Sequence, residues 1–421
     1  MSHEITLNTA ESLEQIEVVI DKNGWREEGL VKLKDGWLIV HGALASERVL
    51  VRVEPRRHPR DRRLYAQVLE VIEPSSERHP AACHKFFKCQ GCQTRMISWE
   101  KENKAKEQKV EEILEKFAGV VVNCQTIALD NHARRGVRMR GNLVHDGERL
   151  GLRSFSKIQS MSDCAALTPK AIQVVNYFEA QLLRDERLEF MAPEYGPSLA
   201  TIHVSEIDDD RLKRFEENSI GTGLSIIKDG EEVVQFGPTQ TTIDFAGSRL
   251  LATRHSWVPA SEEASAPLYA WIRERCPSGH VAVDLGSAIG GVSAQIAANY
   301  QTVFGIDQDR HAIEIYKENL KSFNAHAIAG KFENGLRKLV EMGVEPDWMS
   351  INPMREPLGD AVIRWIKHLR PKNLLYLAPS PTSGAKDLVQ LLDTWTLQDV
   401  WQANVHPHSH HTMMVVSLVT T

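Results

Sequence analysis

The chain has 421 residues, enough for two or three domains, and its 42% hydrophobic and 25% charged content is typical of a globular protein with a packed core. No apolar run approaches the ~20 residues that span a bilayer, and the polar, acidic N-terminus lacks the basic and apolar parts of a signal peptide. We therefore expect a cytoplasmic protein with no membrane partner.

Basic residues cluster in the N-terminal part of the chain, although the formal net charge of −6 argues mildly against nucleic-acid binding. Binding of a polyanion needs only a local basic surface, and RVEPRRHPRDRR and HARRGVRMRGN supply two candidates. Each segment alone fits a solvated surface equally well, but their recurrence favours a polyanionic partner. The candidate contact residues are Arg56, Arg57, Arg134, Arg135, Arg138 and Arg140.

Short segments rich in Val, Ile and Leu follow one another through residues 1–76, among them GLVKL, WLIVHGA and YAQVLEVIEP. Turn signals such as KNG and KDG separate them. This spacing predicts a small OB-like β-barrel, a fold that commonly binds single-stranded nucleic acid.

Three of the six cysteines lie in one turn-rich stretch, ACHKFFKCQGCQ, which we call the cysteine segment (residues 82–93). They are Cys83, Cys89 and Cys92. In a reducing compartment such clustering indicates metal or cluster ligands more often than disulfides.

The next segment predicts a helix from Trp99 to Phe117 that ends at Gly119, because Val110, Ile113 and Leu114 recur at helical spacing on one face. Beyond it the pattern turns mainly to strands, with hairpin turns at HDGE and KDGE. Residues 77–265 therefore predict a mixed α+β domain.

From residue 266 the pattern alternates between strand and helix. HVAVDLG, YQTVFGID, PDWMSIN and NLLYLAP are strand-like, and RHAIEIYKENLKSFN lies between two of them as a helix. The alternation predicts a doubly wound, Rossmann-like parallel sheet over residues 266–421.

A glycine-rich turn links strand and helix in VAVDLGSAIGGVSAQIA. Gly286, Gly290 and Gly291 would let the backbone approach a ligand, and Asp284 lies at the carboxyl end of the strand, where such sheets bind ligands. Asp307 ends the next strand and could accept both hydroxyls of a ribose. The D-L-G-x-x-x-G-G form favours S-adenosylmethionine over NAD, and a purely structural glycine turn is the alternative.

A polar residue, Asn352, precedes Pro353 in INPMREP after the fourth strand of this domain. At this carboxyl end its side chain would face the transferred group and the target base. The segment is similar to the NP-x-x motif of amino-methylating enzymes, with Arg355 where that motif ends in an aromatic residue.

The order of these segments resembles that of the S-adenosylmethionine-dependent RNA uracil-5 methyltransferases, from the barrel and C-x5-C-x2-C through KEQKVEEIL and GLRSFSKIQSMSDCAALTP to the last sheet. The resemblance covers nearly the whole chain. It is specific to the 23S rRNA branch, which has a TRAM domain and a 4Fe-4S cluster. It implies an RNA partner, rRNA before tRNA, and no DNA partner; we also expect a monomer.

The resemblance also implies ligands. Cys164 matches the family's fourth cysteine, so that Cys83, Cys89, Cys92 and Cys164 would hold the 4Fe-4S cluster. Their spacing alone fits a structural zinc ion equally well. Asn334 in KFENG matches the adenine-side residue, and the predicted cofactor-binding set is Asp284, Gly286, Gly290, Gly291, Asp307, Asn334 and Asn352.

Four positions depart from the family pattern. Uracil-5 methylation needs a thiolate that adds to C6 and a base that removes the C5 proton. Pro379 in YLAPSPTSG stands at the cysteine position, and Met413 in PHSHHTMMVV stands at the glutamate position. WVPA at 257–260 replaces F-Q-V-N, and Asn352 replaces an aspartate. The covalent route is therefore not expected, and no catalytic residue is predicted.

The histidines of HPHSHH invite a metal-site interpretation, but the family motif already accounts for His408 and His411. Three functions remain open. An RNA methyltransferase with a nitrogen or ribose-oxygen target is favoured by the retained Asp284, Gly290 and Asp307, and a non-catalytic RNA-binding scaffold by the loss of F-Q-V-N. A redox or cluster-sensing protein rests on the cysteines alone.

Overall fold

The computed structural model describes residues 15–34, 36–55, 62–129, 136–155, 157–218 and 221–420. Strands β1 to β6 form the N-terminal sheet, and their bounds are Gln15–Val19, Lys22–Asn23, Gly29–Leu33, Gly36–His41, Arg48–Val53 and Arg63–Glu73. Their hydrogen-bonded order is β1-β5-β6-β4-β3-β2. The strands predicted in residues 1–76 are confirmed, whereas closure into an OB-like barrel stays a prediction.

Alternation of side chains builds the core of this sheet. In β5, Val49, Val51 and Val53 are buried, whereas Arg48 and Arg52 between them are partly exposed. Because side chains of a strand alternate between its two faces, this pattern gives the sheet one apolar face.

Helix α1 (Trp99–Ala118) follows the cysteine segment. The Ser98 hydroxyl caps it by accepting a hydrogen bond from the Lys101 N–H at 3.1 Å, and Gly119 ends it with a φ of 67°. The predicted helix is confirmed. Its buried face extends beyond the predicted apolar residues and consists of Trp99, Glu102, Lys106, Val110, Ile113 and Leu114.

The central sheet has the order β10-β9-β8-β11-β12-β13-β14. Its strands β8 to β14 are Arg140–His145, Leu150–Ser154, Lys157–Ser160, Arg187–Met191, Ser198–Val204, Thr222–Lys228 and Glu231–Phe236. Helices α2 (Pro169–Glu179) and α3 (Asp209–Asn218) lie between them in the chain. Hairpins β8–β9 and β13–β14 confirm the turns predicted at HDGE and KDGE.

The last sheet has the order β19-β18-β17-β20-β21-β23-β22-β7. It is parallel from β19 to β21, and β23 runs antiparallel to both neighbours. The strands are β7 Gln125–Ile127, β17 Gly279–Leu285, β18 Tyr300–Asp307, β19 Ala325–Ala329, β20 Trp348–Ile351, β21 Asn373–Ala378, β22 Trp395–Ala403 and β23 Met413–Thr420.

Helices cover both faces of this sheet, which confirms the doubly wound architecture. One core joins α1 to α7, α8 and α9 (Phe332–Glu341, Asp360–Leu369, Pro381–Leu391). The other joins α4, α5 and α6 (Glu262–Arg275, Ser293–Ile296, Arg310–Asn319) to the hairpin of β15 and β16 (Gln240–Phe245, Ser248–Thr253).

The predicted boundary after residue 265 falls inside α4. In addition, α1 and β7 from the predicted central domain pack with the last sheet. Sequence reasoning assigned them to the central domain because their partners are distant in the chain. The division into three domains stays a prediction, with these elements belonging by packing to the last sheet.

A buried ion pair joins α1 to the segment between β22 and β23, which we call the histidine loop (residues 404–412). The Lys106 ammonium donates to Glu102 Oε1 at 3.0 Å, to Asn404 Oδ1 at 2.6 Å and to the His406 carbonyl at 3.1 Å. Glu102 also accepts from the His408 N–H at 3.0 Å. Both charges are at most 1% exposed, so their hydrogen bonds must replace water.

Lys106→Met is expected to lower the free energy of unfolding by about 3–5 kcal/mol, because it leaves the buried Glu102 carboxylate without its counter-charge. The double variant Glu102→Gln, Lys106→Met should lie within about 1 kcal/mol of the wild type, since the glutamine oxygen still accepts the loop hydrogen bonds. Urea denaturation measures both. Lys317→Met, which removes the exposed pair with Glu314, is the control; equal losses for the single and double variants would contradict the prediction.

Candidate functional site

The strand order of the last sheet reverses between β17 and β20, so their carboxyl ends open on a crevice of the kind that binds ligands in such sheets. Gly286 follows β17, Asn352 follows β20 and Pro379 follows β21, while Asp307 ends β18. The Asn352 N–H donates to the Leu285 carbonyl at 2.8 Å and fixes two of these strand ends together. Positions predicted for the cofactor and for the reaction thus meet at one edge.

Asp284 is fully buried and bonded within the protein, and its contact with a cofactor stays a prediction. Its carboxylate accepts from the Ser293 hydroxyl at 2.7 Å, the Ser293 N–H at 3.1 Å and the Ser350 hydroxyl at 2.7 Å. Burial raises its pKa, and these hydrogen bonds oppose the rise. Asp284 therefore fixes the start of α5 to β20 and positions the glycine turn.

The three predicted glycines are needed for contacts within the protein. A Cβ on Gly286, which has a φ of 87°, would lie 2.2 Å from the Asn352 carbonyl oxygen. On Gly290 it would meet Leu320 at 2.5 Å, and on Gly291 it would meet Phe245 at 2.7 Å. Their Cβ positions face neighbouring protein atoms, and the expectation that all three let the backbone approach a ligand stays a prediction.

Two groups of the turn remain suited to a ligand. Asp307 accepts from the Ala288 N–H through Oδ2 and from the Asp309 N–H through Oδ1, both at 2.9 Å. A carboxylate has about four acceptor sites, so further hydroxyls can still be bound. Ser287 is 3% exposed, and its hydroxyl has no hydrogen-bond partner among the described residues. An orphaned hydroxyl beside an open carboxylate fits the ribose of S-adenosylmethionine.

The two predicted asparagines lie on either side of this turn. Asn334 is exposed in the first turn of α7, and Asn352 is half-buried. Asn352 faces the turn with its backbone carbonyl, as the contact to Gly286 requires. Their roles in holding a cofactor stay predictions.

The segments that carry the altered family positions converge beside the crevice. Ser380, next to Pro379, caps α9, and its hydroxyl lies 3.1 Å from that of Ser383. The Ser383 hydroxyl in turn donates to the Arg355 carbonyl at 2.6 Å. Met413 opens β23, where it pairs with Ala403. Ser380 is therefore engaged in a helix cap, and neither altered position can transfer a proton.

Three imidazoles of the histidine loop pack against each other. The ring centroids of His410 and His411 are 4.0 Å apart, and those of His406 and His411 are 5.9 Å apart. Burial lowers the pKa of His406 to about 3, of His410 to about 3 and of His411 to about 4. His411 further lowers the pKa of His406 and of His410, and all three rings are neutral at pH 7.

Cations from four parts of the chain surround these neutral rings. Arg26 comes from the N-terminal sheet region, Lys109 from α1, Arg138 from the approach to β8 and Arg355 from the segment after β20, and each helps to lower a histidine pKa. The described residues include no group of three or more His, Cys, Asp or Glu side chains that could hold a metal ion. The histidine loop thus carries neutral rings with cations around them, and we call these cations the basic rim.

The four predicted cysteine ligands are among the described residues, and the structure does not arrange them as a metal-binding group. Cys89 and Cys164 pack against the core of the central sheet, whereas Cys83 and Cys92 pack against a small cluster around Phe86. The thiols still influence each other: burial raises the pKa of Cys89, and Cys164 and Cys83 add to the rise. The Cys89 sulfur also accepts from the Gly91 N–H at 3.4 Å.

One observation supports an anionic group at the cysteines. Arg95 is 5% exposed, and its Nε and Nη2 have no hydrogen-bond partner in the described part of the chain. Its guanidinium lies beside Cys92, where its charge opposes the rise in the thiol pKa that burial causes. A buried cation with unused donors fits a metal–thiolate group of net negative charge, as four thiolates would make either a 4Fe-4S cluster or a zinc site.

The predicted RNA contacts divide into three groups. Arg138 is exposed and belongs to the basic rim of the histidine loop. Arg140 is half-buried and donates from Nη1 to the Val258 carbonyl at 2.8 Å, and its role as an RNA contact stays a prediction. This bond holds the WVPA segment. Arg56, Arg57, Arg134 and Arg135 lie outside the described residues.

Sequence reasoning missed the groups that position the site. No prediction was made for Glu102 and Lys106, although their spacing with Val110 and Ile113 continues one helical face and could have indicated burial. Nothing in the sequence indicated Ser287 or Arg95, because the lack of hydrogen-bond partners for their side chains depends on atoms far away in the chain.

Fold and crevice define the class of this protein: a doubly wound α/β fold with a crevice at its switch point, joined in the described residues to a six-stranded sheet, a seven-stranded sheet and a two-stranded hairpin. No protein-family model matches the sequence. The chain is 23% identical to an uncharacterised RNA methyltransferase of Caldanaerobacter subterraneus, over 96% of this chain and 98% of that protein. It is 21% identical to the 23S rRNA (uracil(1939)-C(5))-methyltransferase of Vibrio parahaemolyticus, over 96% of this chain and 95% of that protein.

Among solved structures, the chain is similar to the Pyrococcus abyssi tRNA (uracil-54, C5)-methyltransferase in complex with S-adenosyl-L-homocysteine. The TM-score is 0.72 at 17% identity, and the match covers 96% of this chain and all of that one. This similarity shows the fold. Together with the named relatives it confirms the resemblance to RNA methyltransferases that the sequence predicted. Among the helices of the described residues, none has the length and apolar character to span a bilayer.

Acid is expected to destabilise the histidine loop. The folded-state pKa values of its three buried histidines lie below the ordinary 6.5, so below pH 6.5 the unfolded chain binds more protons. The contribution of these histidines to the free energy of unfolding should therefore be fully present above pH 6.5. It should fall towards pH 4, and the loss should be about 1–2 kcal/mol per histidine at pH 5.

Urea denaturation between pH 7.5 and pH 5 measures this slope, and His411→Gln should reduce it. His84, whose side chain is 72% exposed, gives the control His84→Gln, which should leave the slope unchanged. Equal slopes for wild type and His411→Gln would contradict the pKa assignment.

Proposed function

We propose that this protein is an S-adenosylmethionine-dependent RNA methyltransferase that methylates a nitrogen or a ribose oxygen, in rRNA before tRNA, without a covalent cysteine adduct. The observation that carries the proposal is the crevice at the strand ends of β17, β18 and β20, with the open Asp307 carboxylate and the orphaned Ser287 hydroxyl. Full-length similarity to proteins named RNA methyltransferases supports an enzyme with an RNA substrate.

The chain's own residues have limited roles in this chemistry. S-adenosylmethionine supplies an electrophilic methyl group when bound. Asp307 and Ser287 would hold its ribose, and the Asn352 amide would accept a hydrogen bond from an amino group or hydroxyl of the target. Asp284 holds the turn, and the carbonyl of Asn352 packs against it.

The surroundings favour a target that needs no protein nucleophile. Pro379 and Met413 offer neither a thiolate nor a base, and Ser380 is bound in a helix cap. The neutral histidines are weak bases, with pKa values of about 3 to 4. A nitrogen lone pair can take a methyl group directly and release its surplus proton to water, so neither group is then required.

A non-catalytic RNA-binding scaffold is the second candidate. The loss of both family reaction positions, Pro379 and Met413, favours it specifically, because a scaffold would not need them. Both candidates share the crevice and the basic rim, and they differ in whether a methylated nucleoside depends on the protein.

The cysteine site completes the proposal. Cys83, Cys89, Cys92 and Cys164 would hold a 4Fe-4S cluster, with structural zinc as the alternative, and the orphaned Arg95 supports an anionic group there. We further propose a cytoplasmic monomer with a TRAM-type barrel at its N-terminus.

Nucleoside mass spectrometry of rRNA and tRNA from a deletion strain tests the function. We expect one methylated nucleoside to disappear and to return on expression of the wild-type gene. Asp307→Asn should bind S-adenosylmethionine about 10- to 100-fold more weakly in calorimetry, because it loses a charge-assisted hydrogen bond. It should also restore the nucleoside poorly.

Asp309→Ser is the matched control, since serine still caps α6 where Asp309 now accepts from the His311 N–H. It should bind the cofactor and restore the nucleoside like the wild type. An unchanged nucleoside profile in the deletion strain would favour the scaffold, and absence of cofactor binding by the wild type would overturn the enzyme.

Arg138→Ala should weaken RNA binding and lower the slope of log affinity against log salt concentration by about one, because one phosphate contact is lost. Arg140→Ala is the comparison: it should lower the free energy of unfolding by about 1–3 kcal/mol through the unpaired Val258 carbonyl, with the salt slope unchanged. Filter binding at several salt concentrations distinguishes them, and an unaltered slope for Arg138→Ala would place the RNA elsewhere.

A further inference from the structure

The segment between β20 and α8, which we call the crevice segment (residues 352–359), is held in place although little of it is buried. The side chains of residues 354–357 are exposed, and that of Met354 is 72% exposed. Burial of these side chains therefore contributes little to the position of the segment. Hydrogen bonds of its backbone must supply what packing does not.

The start of the crevice segment is bonded to the cofactor side of the sheet. The Asn352 N–H donates to the Leu285 carbonyl, at the end of β17, at 2.8 Å. The Asn352 carbonyl packs so closely on Gly286 that a Cβ there would lie 2.2 Å from its oxygen. Asn352 is thus fixed by its backbone to the strand and turn of the proposed cofactor site.

One face of α9 holds the rest of the segment. The Ser383 hydroxyl donates to the Arg355 carbonyl at 2.6 Å, and the Asp387 carboxylate accepts from the Leu358 N–H at 3.1 Å. Just past the segment, the Gln390 amide donates to the carboxylate of the first residue of α8 at 3.0 Å. The three α9 positions are four and three residues apart, so they share one face of the helix.

The Asp387 carboxylate is costly to bury. It is 2% exposed, and no Lys, Arg or His side chain of the described ranges pairs with it; it accepts from the Leu358 N–H and from the Tyr376 hydroxyl. A leucine would pack α9 against β21 without this cost. Asp387 therefore has a hydrogen-bonding role, and the backbone group that it binds belongs to the crevice segment.

We propose that Ser383 and Asp387 are positioning residues for methyl transfer, which hold the crevice segment so that the Asn352 amide keeps one position beside the glycine turn. This inference rests on the proposed function and deepens it. Neither side chain needs to touch the substrate, because each acts on the backbone that carries Asn352. Displacing an orienting group by about 1 Å can slow a reaction about 100-fold, so these bonds should control rate rather than cofactor affinity.

The kinetics of Ser383→Ala and Asp387→Ala test this role, with rRNA and tRNA of the deletion strain as substrate and labelled S-adenosylmethionine as methyl donor. We expect kcat to fall about 10- to 100-fold for Asp387→Ala and about 3- to 10-fold for Ser383→Ala. The KM for S-adenosylmethionine should change less than about twofold, because the groups proposed to hold its ribose, Asp307 and Ser287, lie outside the crevice segment.

Hydrogen exchange of the cofactor-free protein gives a readout that needs neither cofactor nor RNA. The Leu358 N–H should exchange about tenfold faster in Asp387→Ala, because its hydrogen bond is lost. Asp387→Asn keeps an acceptor oxygen and should restore both slow exchange and kcat to within about threefold of the wild type. If Asp387→Ala does not fold, Ser383→Ala decides the question by its kcat.

Leu391→Ala is the matched control, because Leu391 is fully buried on the same helix and packs in the core. It should lower the melting temperature, since it leaves a cavity, while kcat and the exchange of the crevice segment stay within about twofold of the wild type. Loss of stability in α9 is thereby separated from loss of the bonds to the segment.

A lower kcat with an unchanged KM, together with faster exchange of Leu358, supports the positioning role. Wild-type kcat in both Ser383→Ala and Asp387→Ala, or an equal fall in Leu391→Ala, overturns it while leaving the proposed methyltransferase intact. Wild-type protein that methylates neither rRNA nor tRNA overturns both, and the bonds from α9 then have a structural role only.

Discussion

The buried pair of Glu102 and Lys106 is the interaction on which the arrangement of this protein depends. It fastens α1, which follows the cysteine segment, to the histidine loop of the last sheet. Two buried charges separated from water are tolerated only when every partner is in place, so the pair demands a defined loop conformation. Cations from the N-terminal region, from α1 and from the segment after β20 then meet at that loop, which makes it the junction of the whole chain.

The same junction connects the cysteine segment to the crevice. The N–H groups of Gln93 and Thr94, directly after Cys92, donate to the His408 carbonyl at 2.7 and 3.2 Å. His408 is held from the other side by Glu102. A group bound at the cysteines would therefore brace the histidine loop through backbone hydrogen bonds, and its first effect on the crevice is on position, because the connection runs through hydrogen bonds alone.

The chemistry available at the crevice depends on the side chains that lie beside it. Pro379 and Met413, where the family resemblance predicts reaction groups, offer neither a thiolate nor a base, and the neutral histidines are too weakly basic to replace a carboxylate. What is retained is a binding surface, with Asp307, Ser287 and Asn352 around the turn and Arg138 and Arg355 on the rim. Such a surface suits direct methyl transfer to a nucleophile of the substrate itself.

The sequence by itself determined the elements and much of the topology. Local patterns specify the hairpin β13–β14, the helix from Trp99 and the alternation of the last sheet, because turn residues and apolar periodicity act over a few residues. It did not determine which charged and polar groups are buried. No prediction was made for Glu102 and Arg95, and Asp284 and Arg140 were predicted to contact ligands. Only the tertiary structure places Glu102, Arg95 and Asp284 in the interior and the Arg140 guanidinium against Val258. The cost of burying a charge depends on partners that are hundreds of residues away in the chain, and only folding brings them into contact.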